Sequence, residues 1–355
     1  MSQTPSPSAS LSAEDIRTAR LAQATLRDRD VAEQLGISEA QLMAAHVGQG
    51  VTRISADPDR LMAAAERLGE VMALTRTPSC VHEKVGRYAN YHAGEHAAMV
   101  LNDEIDLRIF PRHWVHGFAL DQQTEKGRRR ALLVYDAAGD AVHKIHLRPG
   151  SDHAAWEAVV AGLALETQDD TLQTAPREAP EPAKSRPDRA EELRANWDRL
   201  TDTHQFLMMV SRLKMNRLGA YRIAGAPYVR PLAPQSLGTL FTELSASQVP
   251  VMIFVGNQGC IQIHSGPVTN IKTMGPWLNV LDPGFDMHLR SDHVAEVWEV
   301  HKPTRRGMAV SVEAFDAEGR IILQIFGVRK PQDRAAEFEA LAAALPEAAP
   351  AEVLS

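Results

Sequence analysis

The residues with the clearest capacity for chemistry are histidines set among apolar positions. Leu193, Trp197, Leu200, His204, Leu207 and Ser211 recur at helical spacing, which predicts one helical face over 193–213 with an imidazole on its stripe. Such an imidazole is either a packed core histidine or a ligand aimed into a pocket. Thr201-Asp202 interrupts the helix-forming pattern, and Gln205 follows Asp202 by three residues, a capping-box-like start to a second helix. His204 then falls in a first turn, where the positive end of the helix dipole favours the neutral, metal-binding imidazole.

Other motifs point to chemistry and yield to simpler readings. His92-Ala-Gly-Glu95-His96 fits the zinc-protease pattern H-x-x-E-H, but Gly94 sits inside it and the segment lies between predicted strands, so a loop is expected. Residues 30–42 resemble a helix-turn-helix, with Gly36 at the turn and Ser38 capping a second helix. That helix, 39–46, carries no Lys or Arg to meet phosphates or bases, so a structural helical hairpin is expected. Gly256-Asn-Gln-Gly259 is followed by a strand pattern rather than a helix, which makes it a hairpin turn and not a phosphate loop. His113, His116, His143 and His146 read as packed or solvated, and nothing sets a working separation for Asp106, Asp286 or Glu104.

At 355 residues the chain is long for one core, and two domains are expected. A net charge of -7 argues against general nucleic-acid or acidic-membrane binding. The two cysteines, Cys80 and Cys260, make no disulfide framework and read as buried strand residues. The N-terminus has no signal-peptide pattern and no apolar run reaches membrane-spanning length, so a soluble cytoplasmic protein is expected.

The elements that must position His204 come in two copies. With a constant offset of 180, Cys80 meets Cys260, Gly86 meets Gly266, Asp106 meets Asp286, His113 meets His293, and Asp136-Ala-x-Gly139 meets Asp316-Ala-x-Gly319. Each copy predicts leading helices (13–33, 39–46 and 58–68; 191–213 and 234–244), then short strands, then a closing helix (154–163; 335–345). The strands are 71–75, 81–85, 105–110, 115–120, 130–135 and 142–147, with matching runs at 251–255, 260–264, 285–289, 295–300, 309–315 and 321–326. The fold class is α+β, two tandem duplicated lobes, each a large antiparallel sheet flanked by helices. The expected domains are a disordered tail 1–12, repeats at 13–167 and 190–346, a Pro-rich linker 168–189 between them, and a tail 347–355. At the same offset His204 meets Ala24, and no histidine precedes His46, so the first copy folds without this imidazole.

Around His204 the chain is similar to a known family. Trp197-Asp-Arg-Leu-Thr-Asp-Thr-His-Gln-Phe206 resembles the W-x-x-x-T-D-V-H-Q-F signature of bacterial cytoplasmic haem-handling proteins of the HemS/HmuS/ChuS/PhuS type. The resemblance extends through 102–110, 251–260, Trp277-Leu-Asn279, His301-Lys-Pro-Thr304 and 320–329, and so covers both halves. It implies two lobes holding one haem b in a cleft between them, with His204 as axial ligand to the iron. It places Arg108 and Phe110 on the opposite face, Arg108 being the catalytic candidate. It puts Arg217, Lys302, Gln324 and Arg329 at the propionate side and cleft lining. Phe326 stands where the family's Q-L-Y-G segment has a tyrosine. Haem needs one neutral imidazole, flat apolar walls and cations at the propionate edge, and these residue types supply them. Two functions follow. One is carriage of haem from an inner-membrane ABC importer to a haem oxygenase or other acceptor. The other is degradation of haem with a supplied reductant, releasing iron. Carriage is the favoured reading, and a DNA-binding iron regulator using 30–42 is a weak third.

Overall fold

The computed structural model describes residues 11–125, 127–328 and 334–349. The first half runs α1 (Ala13–Ala22), α2 (Asp28–Leu35), α3 (Glu39–Ala44), β1 (Val51–Ile54), α4 (Pro58–Glu66), β2 (Gly69–Arg76), β3 (Cys80–Arg87), β4 (Tyr91–His92), β5 (Ala98–Leu101), β6 (Asp106–Ile109), β7 (His116–Thr124), β8 (Gly127–Tyr135), β9 (Ala141–Ser151) and α5 (Trp156–Leu163). The second runs α6 (Ala190–Trp197), α7 (Gln205–Arg212), α8 (Arg217–Ala224), β10 (Val229–Leu232), α9 (Ser236–Ser247), β11 (Val251–Gly256), β12 (Cys260–Gly266), β13 (Ile271–Met274), β14 (Trp277–Asp282), β15 (Phe285–Arg290), β16 (Glu296–Thr304), β17 (Gly307–Phe315), β18 (Ile321–Gly327) and α10 (Ala335–Ala343).

The copies keep the same register. The hairpin β7–β8 pairs His116 with Tyr135 and Thr124 with Gly127; β16–β17 pairs Glu296 with Phe315 and Thr304 with Gly307, each shifted by 180. Even the bulges correspond, at Val134/Tyr135 and Ala314/Phe315. Both turns that follow are closed by an aspartate: the Asp136 carboxylate accepts from the Ala138 and Asp140 N–H groups, and the Asp316 carboxylate accepts from Glu318 and Arg320.

The copies also exchange strands. One nine-stranded sheet has the order β1-β7-β8-β9-β2-β3-β15-β14-β13, and the other β10-β16-β17-β18-β11-β12-β6-β5-β4. The three strands β4–β6 of the first half therefore complete the second half's sheet, and β13–β15 complete the first's. The joins are antiparallel, with Cys260 opposite Ile109 and Phe285 opposite Lys84. Residues of both halves thus line each face of each sheet.

Between the sheets lies a polar seam within an apolar core. Gln262 on β12 donates to the carbonyls of Ala73 and His82 in the other sheet, at 2.9 and 3.2 Å, and accepts from Thr75 at 3.0 Å. His143 is held by Thr75 at 2.9 Å and by the Tyr88 hydroxyl at 2.6 Å. His264 stacks on Phe285 at 3.9 Å, with His82 against the same ring at 4.9 Å. Among the described residues, the ring nitrogens of His82 and of His264 are buried without a hydrogen-bond partner. Burial holds His82 well below its ordinary value, His264 at about 4 and His143 at about 3, so all three are neutral in the fold. Their unfolded-state value, near 6.5, is higher, so the unfolded chain binds more protons below it. Stability is therefore expected to be full above about pH 6.5 and to fall towards pH 4, each imidazole contributing up to about 1.36 kcal/mol per pH unit. Urea midpoints measured from pH 8 to pH 4 check this, and a flat profile through pH 5 would contradict it.

Residues 165–186 form neither helix nor strand, yet they are tied down. Arg53 donates to Gln168, Arg177 pairs with Asp140, and the Lys184 backbone exchanges hydrogen bonds with Asn216 at 2.9 and 3.1 Å. Asn216 also caps α8 by accepting from Gly219 at 2.9 Å. A Cβ at Gly219 would lie 2.0 Å from the Lys184 carbonyl oxygen, so the strap fits only because this residue has no side chain. Gly219→Ala is expected to cost roughly 1–3 kcal/mol by displacing backbone, readable as a lowered melting temperature. Of the expected tails, residues 1–10 and 350–355 lie outside the described residues, while Glu347 bridges to Leu232.

Candidate functional site

The single helical face expected over 193–213 is corrected. α6 ends at Trp197 and α7 starts at Gln205, and the turn at 198–204 resets the helical phase. The buried stripe is Leu193, Trp197 and Leu200, continued by Phe206, Val210 and Leu213. Trp197 and Phe206 meet edge to face at 4.7 Å, locking the two helices together. The change of phase turns His204, Leu207 and Met208 outward. The His204 side chain is 91% exposed, and Leu207 and Met208 are 54% and 53% exposed. Three residues at i, i+3 and i+4 therefore present an imidazole and two flexible apolar side chains to solvent.

His204 is also the residue just before α7 rather than part of its first turn. The Asp202 carboxylate accepts from the His204 backbone N–H at 2.8 Å and lies 2.6 Å from Nδ1. The capping pattern works differently from the sequence expectation: the Gln205 side chain closes on Thr201, accepting from its N–H at 2.9 Å. The Arg305 N–H, at the tip of β16–β17, donates to the Thr201 carbonyl at 3.0 Å. An exposed side chain thus stands on a braced loop.

Beneath this helical layer, one face of the second sheet forms a row set by register. Asp106, Ile263, Phe254, Gln324, Glu313 and Trp298 are successive cross-strand partners on β6, β12, β11, β18, β17 and β16. Arg108 lies beside Asp106 on the same face, opposite Ile261, and Phe110 continues that alternation. Both come from the first half, carried here by the strand exchange. α6–α8 cover the Trp298 end, where Trp197, Phe206 and Tyr221 share a core with Trp298, Val300 and Phe315. Beyond Glu313, Gln324, Phe326, Phe254, Arg108 and Phe110 are only half-buried. Phe254 and Phe326 meet edge to face at 5.4 Å, giving this open part an aromatic floor. Arg108 is paired with Asp106.

At the covered edge two cations share one carboxylate. Glu313, 0% exposed, accepts from Lys302 at 2.8 Å, Arg217 at 2.8 Å, Tyr221 at 2.9 Å and Ser311 at 2.9 Å. Lys302 is 2% exposed and lies 4.8 Å from the Phe206 ring centroid. Burial pushes the Glu313 carboxyl up, but Lys302 and Arg217 outweigh it and hold Glu313 well below the usual carboxylate range. Burial brings Lys302 down to about 8 against the pull of Glu313. Lys302, expected at the propionate side, is a buried cation within a cluster of formal charge +1 formed with Arg217 and Glu313. Arg217 remains at its boundary with solvent, and Arg329 lies outside the described residues.

The other sequence candidates go elsewhere. His92 and His96 sit in and beyond the short β4, with no helix between them. Helix α3 is six residues long with Glu39, Ala40, Leu42, Met43 and Ala44 buried, so it cannot enter a DNA groove. Asn257 closes a β-hairpin turn by accepting from Gly259 and Cys260. Glu313, Tyr221, Phe254 and Arg305 were not singled out from the sequence, and Asp202 was read there only as a helix-start residue. For Glu313 a signal existed: its partner at the constant offset is Leu133, so the charge belongs to the second copy alone.

Among the described residues no group of three or more His, Cys, Asp or Glu could hold a metal ion. The half-open aromatic floor and the cationic cluster suit a flat apolar ligand with a negatively charged edge.

The family model described as the haemin-degrading HemS.ChuX domain matches residues 36–163 and again 214–345. His204 and Asp202 fall between these spans. The hemin transport protein HmuS of Yersinia pestis is 37% identical over 302 residues, covering 85% of this chain and 87% of its own. Holo-PhuS, a heme-binding protein from Pseudomonas aeruginosa, superposes with a TM-score of 0.90 at 38% identity, over 94% of this chain and 98% of its own. The heme degrading enzyme ChuS of Escherichia coli O157:H7 superposes with a TM-score of 0.85 at 29% identity, over 94% and 99%.

Proposed function

The chain belongs to the haemin-degrading HemS/ChuX domain family, and from that premise we propose that it binds one haem through His204 and carries it during haem uptake. The observation that supports this most is an exposed imidazole on a braced loop, with Leu207 and Met208 beside it. Haem brings four nitrogen ligands of its own, so one protein nitrogen is enough to hold its iron. Leu207, Met208, Phe254 and Phe326 offer apolar contact to the macrocycle. Phe326 has no hydroxyl, so this position contributes packing alone. The propionates fall to Gln324 and the cluster of Arg217, Lys302 and Glu313, whose net positive charge favours an anionic edge. Arg108 and Phe110 would face the opposite side of the haem. An open face suits loading and release better than a closed pocket does. In this reading the chain works in the cytoplasm, receiving haem from an ABC importer and passing it to an acceptor such as a haem oxygenase. Among the described residues no helix is long and apolar enough to cross a membrane.

Titration with hemin tests the reading: saturation at one equivalent with a shifted Soret band is expected. Binding of several equivalents with the spectrum of free hemin would overturn it. Degradation is the second reading, favoured by Arg108, a half-exposed cation on the same sheet face as the aromatic floor. Adding a reductant to the loaded protein separates the two. Catalase-insensitive loss of the Soret band with iron release supports degradation, whereas loss abolished by catalase marks oxidation by stray peroxide.

A further inference from the structure

We propose that Asp202 is a positioning residue that makes His204 an electron-rich ligand through Nε2 and biases the site towards ferric haem. The inference rests on His204 being the iron ligand. An ionised carboxylate only accepts hydrogen bonds, so in the neutral, iron-ligating ring the proton lies on Nδ1 and the lone pair on Nε2. The ring is thereby held in one tautomer, with its free nitrogen available to iron. At 2.6 Å the bond has the length of a charge-assisted contact. A carboxylate behind a ligating imidazole raises the basicity of the ligand. A more basic ligand stabilises the ferric iron more than the ferrous, because the ferric ion carries one more positive charge.

The Asp202 carboxylate makes two contacts among the described residues, one of them with the His204 backbone N–H, which braces the turn, and the other with the His204 ring, which serves the imidazole alone. The loop is also braced by other groups: Gln205 on Thr201, and the Arg305 N–H on the Thr201 carbonyl. Asp202→Asn keeps an acceptor for Nδ1–H and removes only the charge. Its consequence is functional: a ferric-favouring ligand resists the reduction with which reductant-driven ring opening begins, and so favours carriage.

The test is the midpoint potential of the haem-loaded protein by spectroelectrochemistry, with the iron–histidine stretch of the ferrous form by resonance Raman. Asp202→Asn and Asp202→Ala are expected to raise the midpoint, reflecting about a tenfold fall in the preference for ferric haem, or roughly 59 mV for one electron. The stretch should move to lower frequency, and Asp202→Glu should recover part of both shifts. An unchanged midpoint and stretch in Asp202→Asn, while His204→Ala loses the wild-type Soret band, would overturn the role of Asp202 alone. A His204→Ala spectrum identical to wild type would overturn both this role and the ligand reading beneath it.

Discussion

Glu313→Ala is expected to lower the unfolding free energy by about 3 kcal/mol, the lower end of the range for breaking a buried ion pair. Glu313 is the single acceptor shared by Lys302, Arg217, Tyr221 and Ser311, and removing it leaves two cations facing each other without compensation. Two features keep the loss from being larger. Lys302, already brought down to about 8, can shed its proton, and Arg217 sits where it can turn to solvent. Glu313→Gln keeps an acceptor and the volume, and is expected to lose less. Urea denaturation of both variants measures this. A Glu313→Ala protein as stable as wild type would mean that the cluster contributes nothing net to the fold.

His204→Ala is expected to weaken hemin binding about a hundredfold, roughly 2.7 kcal/mol, without abolishing it. The iron–nitrogen bond is lost, but the apolar contacts of the macrocycle are not, since Leu207, Met208, Phe254 and Phe326 remain. The fold should be indifferent to the change. The side chain is 91% exposed, its one partner among the described residues is Asp202, and the equivalent position in the first copy is Ala24. Melting temperature and affinity should therefore separate: the first unchanged, the second much reduced. A fall in both together would mark His204 as a structural residue.

The duplication was legible because its offset survives in register, down to the paired bulges at Tyr135 and Phe315. The strand exchange was not. β3 and β12 are equivalent edges, so pairing β6 with either one makes the same kind of ladder, and local sequence carries no preference between them. The phase of α7 was not legible for a related reason. Leu207 fits the stripe of α6 by spacing, but Thr201-Asp202 restarts the count, and Phe206 takes the buried place. The burial of Lys302 was not legible, because it depends on Glu313 eleven residues away across the β16–β17 hairpin. Arg108 and Phe110 had to reach the second half's sheet for the resemblance to make sense; the exchange of β4–β6 is how they do so.

The most direct test of the account is the visible spectrum of the ferric complex of His204→Ala, recorded before and after adding free imidazole. Loss of the wild-type Soret band, and its return with imidazole bound in place of the missing ring, is the expected result. A variant whose spectrum and hemin affinity match wild type without imidazole would contradict ligation by His204.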